Sequence, residues 1–140
     1  MEPQSPMTPE AKAARILIVE DRPAIAELVE TRLRIEGMRP TTCLGGREAL
    51  QVLEHGEFDL VILDIMMPDV DGYEVFRFLK GSSRTRSTPV IFLTAKSSPE
   101  DVAHGLALGA DYHITKPFSG SDLRQKVANV LARRRPALVA

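Results

Sequence analysis

Five side chains in this sequence have the chemistry of a small charged site rich in oxygen. They are the carboxylates of Glu20, Asp21 and Asp64, the hydroxyl of Thr94 and the ammonium of Lys116. Each ends or directly follows a short apolar run: RILIV before Glu20 and Asp21, DLVIL before Asp64, PVIFLT ending in Thr94, and DYHIT before Lys116. If those runs are neighbouring strands of one sheet, all five groups meet on one edge. Crowded carboxylates repel one another and rise in pKa unless a cation neutralises them. An all-oxygen set with a few carboxylates and room for water suits Mg²⁺. Lysine offers a point charge and threonine a hydroxyl hydrogen bond, both suited to phosphoryl oxygens, and an aspartate carboxylate is an established phosphoryl acceptor. Any one of these residues alone is an ordinary solvated loop residue, so only their convergence carries information.

The rest of the chain has to bring those runs together. Residues 15–20 (RILIVE) read as a β-branched strand, and residues 23–36 space Ile25, Leu28, Val29 and Leu33 like a helix face that Gly37 terminates. A more polar strand at 40–44 (PTTCL) precedes a helix at 47–54, closed by His55 and Gly56. The third strand at 59–63 leads through a Pro and Gly loop to a helix at 73–80, and the fourth strand spans 89–94. Ser98, Pro99, Glu100 and Asp101 form an N-cap, a first-turn proline and first-turn acids for a helix that Gly109 stops. A fifth strand at 111–115 and a helix at 119–135, with Leu123, Val127, Val130 and Leu131 on one face, complete the chain. Strand and helix in regular alternation predict an α/β, flavodoxin-like (βα)5 doubly wound parallel sheet of order 2-1-3-4-5, with polar strand two at an edge. Ligands of such sheets collect beyond the carboxyl ends of the strands, at the switch point between strands one and three.

At 140 residues the chain fits one domain. Its 44% hydrophobic and 26% charged residues balance as in a globular protein, and a net charge of -1 supplies no field to recruit nucleic acid or an anionic membrane. No apolar run approaches the roughly 20 residues needed to span a bilayer. Residues 1–14 read as a disordered leader with no apolar signal-peptide core, so the expected location is cytoplasmic. Pro136 ends the last helix, and residues 136–140 are a tail or the start of a cut linker. The single cysteine, Cys43, has no internal disulfide partner and reads as a core residue.

Four segments, ILIVED at 16–21, VILDIMMPDVDG at 61–72, VIFLTA at 90–95 and TKPF at 115–118, resemble the receiver domains of two-component response regulators, over about residues 15–135. That resemblance implies that Asp64 takes the phosphoryl group and that Asp21 holds Mg²⁺ directly and Glu20 through water. It further implies that the backbone carbonyl of Met66 completes the metal site and that Lys116 contacts the phosphoryl oxygens. Thr94 matches the switch hydroxyl and Ala95 its small neighbour. Receiver domains commonly have a cis bond where Lys116-Pro117 stands. The implied donor is a sensor histidine kinase or a histidine phosphotransfer protein. The implied output is a surface of helix four, strand five and helix five that controls a downstream protein partner or effector domain, or pairs in a homodimer.

The chain departs from the pattern of the domains it resembles at the switch position. Receivers usually place Tyr or Phe three residues before the strand-five lysine, and here that residue is His113. Tyr112 stands one position earlier and should face the opposite side of the sheet. His113 is therefore the expected switch position. Asp69 and Asp71 resemble extra metal ligands, but Asp71-Gly72 is more simply a turn and helix start. Basic residues 133–135 are ordinary for a helix C-terminus and do not point to direct nucleic-acid contact. Two other readings stay open at this point. An aspartate-nucleophile phosphohydrolase would need a general acid where Met66 stands, and a receiver that had lost phosphorylation would not need the full acid, lysine and threonine set.

Overall fold

Short β-branched runs cannot hide their apolar side chains alone, and each is followed by a helix with one apolar face to cover it. The structure, a computed structural model, describes residues 14–95 and 98–134. Elements β1 (Arg15–Val19), α1 (Pro23–Ile35), β2 (Arg39–Cys43), α2 (Gly46–Leu53), β3 (Leu60–Leu63) and α3 (Gly72–Lys80) form the first part. Elements β4 (Val90–Thr94), α4 (Pro99–Leu108), β5 (Tyr112–Thr115) and α5 (Gly120–Arg134) complete the alternation. The strands pair in parallel as one sheet of order β2-β1-β3-β4-β5, the flavodoxin-like arrangement expected from the alternation. Most of the leader, the last residue of the expected fifth helix and the tail lie outside the described residues. Ala14 is described: it is buried, and its carbonyl accepts the Arg39 N–H at 2.9 Å.

Two apolar layers fix the sheet. Along β1 the side chains alternate, so Ile16 and Ile18 pack with Val29 and Leu33 of α1 and with Leu123 and Val127 of α5. Leu17 and Val19 pack on the other face with Ala49 and Leu53 of α2 and Val75 and Leu79 of α3. Strands β3 and β4 are buried along their whole length, whereas β2 alternates between exposed and covered positions as an edge strand does. Each fully buried Leu or Ile contributes about 1.5–3 kcal/mol relative to exposure, so the strand ends stand on a rigid platform.

Helix ends are set locally. Asp71 caps α3 by accepting the Glu74 N–H while the Glu74 side chain accepts the Asp71 N–H, a capping box. Ser98 caps α4 by accepting the Asp101 N–H at 3.1 Å, Pro99 follows at N1, and Gly109 ends the helix at φ 115. Helix α4 differs from its neighbours in how it is seated. Gly105 is its one buried residue, pressed on the Phe92 ring of β4.

Candidate functional site

The parallel ladder runs one step past the strand ends and thereby places the acids. The Asp64 N–H donates to the Val19 carbonyl at 2.9 Å, and the Glu20 N–H donates to the Cys43 carbonyl at 3.1 Å. Because β1 and β3 are adjacent with Val19 opposite Leu63, Glu20 and Asp64 emerge side by side. Glu20, Asp21 and Asp64 each present a carboxylate oxygen within 4.8 Å of the others. On the other side, the Lys116 N–H donates to the Thr94 carbonyl at 3.0 Å, which ties the end of β5 to that of β4. The Lys116–Pro117 peptide is cis. All five residues singled out from the sequence thus stand on the carboxyl edge.

Burial makes this cluster electrostatically demanding. Glu20 and Thr94 are fully buried and Asp64 is 3% exposed, while Asp21 is half-buried and open to solvent on one side. Lys116 Nζ lies 2.7 Å from Glu20 Oε1 and 3.2 Å from Asp64 Oδ2, a single cation shared between two buried carboxylates. Backbone donors serve the remaining oxygens: the Arg22 N–H donates to Glu20 Oε2 at 3.0 Å and the Met66 N–H to Asp64 Oδ1 at 3.1 Å. Desolvation, and then the neighbouring Glu20 charge, push the Asp64 carboxyl up from 3.8 to about 6, although Lys116 and the Met66 amide pull the other way. Near neutral pH it is still mostly carboxylate.

A divalent cation fits this donor set. Among the described residues, Lys116 is the one cation paired with these three carboxylates, and one ammonium does not balance three acids. Glu20 Oε1 is buried and, among the described residues, has its ion pair with Lys116 but accepts no hydrogen bond. Oxygen donors of this kind match Mg²⁺, which keeps several waters and takes few carboxylates. A cleft of about 610 Å³ opens above the acids, lined by Asp21, Asp64, Met66, Thr94, Ala95 and Lys116, with Ile25, Leu28 and Phe118 on its apolar side. A phosphoryl group is small against that volume.

The other residues weighed from the sequence lie apart from the acids. Asp71 is engaged as the α3 cap, and Asp69, at φ 72, pairs with Arg47 at 2.8 Å, so neither belongs to the carboxylate cluster. The Met66 side chain is exposed while its backbone faces Asp64. His113 lies on the α4 side of β5, its Nδ1 3.8 Å from where a Gly105 Cβ would be. Tyr112 faces the other way, under the Arg133 guanidinium at 5.2 Å, so the two point to opposite faces as alternation requires. Cys43 is buried, and burial pushes its thiol up to about 11, consistent with an inert core residue. Sequence reasoning did not single out Gly46 and Gly72 as packing positions. A Cβ on Gly72 would lie 2.2 Å from the Asp64 carbonyl oxygen. The glycines marked turns, but glycine alone does not say which backbone it touches.

Comparison with known proteins gives the same picture. The sequence model of the response regulator receiver domain matches residues 16–128. Response regulator SaeR of Staphylococcus aureus is 38% identical over 118 residues, covering 84% of this chain and 50% of SaeR. The chain therefore spans about half the length of the curated relatives it matches. Among solved structures, the signal receiver domain of a signal transduction histidine kinase from Syntrophus aciditrophicus is 42% identical. It superposes with a TM-score of 0.79, over 86% of this chain and 92% of that one. The receiver domain of sensor histidine kinase PA1611 from Pseudomonas aeruginosa PAO1, which has a magnesium ion coordinated in its active site cleft, is 29% identical. Its TM-score is 0.78, over 86% of this chain and 98% of that one.

Proposed function

The chain belongs to the response regulator receiver domain family, whose members are phospho-accepting signalling modules and not turnover enzymes, and from that premise we propose that Asp64 is its phosphoryl acceptor. The donor in this reading is a phosphohistidine on a sensor histidine kinase or histidine phosphotransfer protein in the cytoplasm. An Asp64 carboxylate oxygen attacks phosphorus, the P–N bond breaks, the imidazole leaves with the bond's electron pair, and an acyl phosphate remains on Asp64. One observation carries the assignment. Lys116 Nζ stands between Glu20 and Asp64 at 2.7 and 3.2 Å, at the floor of the cleft, where phosphoryl oxygens would need a cation.

The residues would divide the work by charge. Asp21, Asp64 and the Met66 carbonyl would hold Mg²⁺, with Glu20 doing so through water. When bound, the ion supplies positive charge to phosphoryl oxygens and quenches the repulsion among the acids. Lys116 would then turn towards the phosphoryl group, and the buried Thr94 hydroxyl would donate to one of its oxygens. Movement of Thr94 towards the acyl phosphate biases α4, which buries only Gly105 against the sheet, and with it His113 at the switch position. The α4-β5-α5 surface then engages a downstream partner, an attached effector domain or a second copy. In this reading the receiver unit occupies residues 15–135.

Incubation with acetyl phosphate and Mg²⁺ followed by intact-mass measurement tests the proposal. Wild type should gain the mass of one phosphoryl group, Asp64→Asn should gain none, and EDTA should abolish the gain. An adduct of equal yield on Asp64→Asn would refute Asp64 as the acceptor.

A further inference from the structure

The loop from β3 to α3 carries Met66 past the acids and returns to Gly72, and it is closed on itself at both ends. The Gly72 N–H donates to the Ile65 carbonyl at 2.9 Å, and the Gly72 Cα lies so near Asp64 that a Cβ there would be 2.2 Å from the Asp64 carbonyl oxygen. Its far side leans on the first turn of α2. A Cβ on Gly46 would lie 2.2 Å from the Val70 carbonyl oxygen, 2.8 Å from Val70 Cγ1 and 2.9 Å from Val70 Cβ. The next residue, Arg47, pairs with Asp69 at 2.8 Å. Two consecutive residues of α2 thus hold two consecutive residues of the loop. Gly45, in the same turn, has no described residue beyond its chain neighbours within 4 Å of where its Cβ would be.

We propose that Gly46, which lies outside the acid cluster, is a positioning residue for the metal and phosphoryl site: its missing side chain lets α2 seat the Val70 carbonyl and so fixes the loop that carries Met66 behind Asp64. The proposal rests on the reading of Asp64 and the Met66 carbonyl as metal-holding groups. The physical case is that a methyl group at position 46 meets the Val70 carbonyl oxygen first and Val70 Cβ as well as Cγ1, and a rotamer change of Val70 moves only Cγ1. The Val70 carbonyl must retreat by roughly 1.2 Å or more to reach ordinary contact, and a misplacement of about 1 Å is already costly to a positioned site. Val70 is 9% exposed and packs in the layer with Leu63 and Val75, so it cannot give way into solvent. The displacement has to run along the loop, and Gly72 blocks its far end. What remains to move is the stretch containing Met66, whose amide now holds Asp64 Oδ1 at 3.1 Å. The Arg47–Asp69 pair, with both partners about two-thirds exposed, adds direction more than strength.

The test is a MgCl₂ titration of the whole 140-residue chain followed by backbone amide NMR shifts, with circular dichroism melts to establish that each variant is folded. Gly46→Ala should fold and bind Mg²⁺ on the order of 10-fold more weakly, the scale found when a supporting group of a metal site is disturbed. Gly45→Ala should match wild type. A folded Gly46→Ala with wild-type Mg²⁺ affinity would overturn the proposal, as would an equal loss in Gly45→Ala. If Gly46→Ala does not fold, the double variant Arg47→Ala/Asp69→Ala releases the same side of the loop without adding atoms. Weaker Mg²⁺ binding in it supports the clamp, and unchanged binding rejects it. Wild type showing no saturable Mg²⁺ shifts would instead sink the underlying metal reading, which the variant comparison does not touch.

Discussion

Replacing Asp64 by Asn should stabilise the metal-free protein at neutral pH, although it destroys the proposed acceptor. Asp64 is 3% exposed and its carboxyl is pushed up from 3.8 to about 6, first by desolvation and then by Glu20. The folded state therefore holds this proton more tightly than the unfolded state does. The stability tied to the neutral carboxyl is fully present below pH 3.8 and is lost as pH rises through about 6. At about 1.4 kcal/mol per pKa unit, ionising Asp64 in the fold costs roughly 3 kcal/mol. The amide of the Asp64→Asn variant keeps the shape and an oxygen for the Met66 N–H without that charge. In EDTA at pH 7.5 the variant should melt on the order of 5–10 °C above wild type for a chain of this size. The gap should narrow as pH falls towards 4, because wild type takes up the proton. Saturating Mg²⁺ should also narrow it, since an ion present at about ten times its Kd stabilises the protein that binds it by about 1.4 kcal/mol. Thermal melts by circular dichroism, with and without Mg²⁺ across that pH range, supply the measurement. A variant that melts at or below wild type in EDTA at pH 7.5 would refute the account of a strained carboxylate cluster.

Other substitutions separate chemistry from architecture. Lys116→Met removes the cation shared by Glu20 and Asp64; phosphorylation by acetyl phosphate should slow on the order of 10²-fold or more, read by Mg²⁺-dependent intact-mass time courses. Asp71→Ala removes the α3 cap but none of the acid cluster, so it should cost about 1 kcal/mol in urea unfolding while Asp64 still becomes phosphorylated. Gly105→Ala would place a methyl 2.9 Å from the Phe92 ring. It should cost about 1–3 kcal/mol in the same assay by pushing α4 off the sheet, and shift the amide resonances of β5 around His113.

The sequence by itself determined the order of elements and the edge on which the chemistry lies. Hydrophobic runs such as LVIL and VIFLT cannot be solvated, glycines at 37 and 109 end helices, and Ser98-Pro99 starts one, so strand and helix followed from local rules. Observed boundaries differ from the expected ones by a single residue, as at α3, which begins at Gly72 and not Tyr73 because Asp71 caps it. Parallel pairing then had to put Glu20, Asp21, Asp64, Thr94 and Lys116 together, since each lies at a strand's carboxyl end.

Only the tertiary structure decided how those groups meet. That Lys116 is shared between Glu20 and Asp64, that burial more than the neighbouring charge raises the Asp64 carboxyl, and that Asp69 pairs with Arg47 are outcomes of distances between residues far apart in the chain. The two glycines of 45–46 look equivalent in the sequence, yet only Gly46 meets the Val70 carbonyl. The physical reason is the same in each case. Periodicity and capping act within a few residues, whereas electrostatic and steric contacts depend on separations of a few ångströms that the packed sheet and helices alone set.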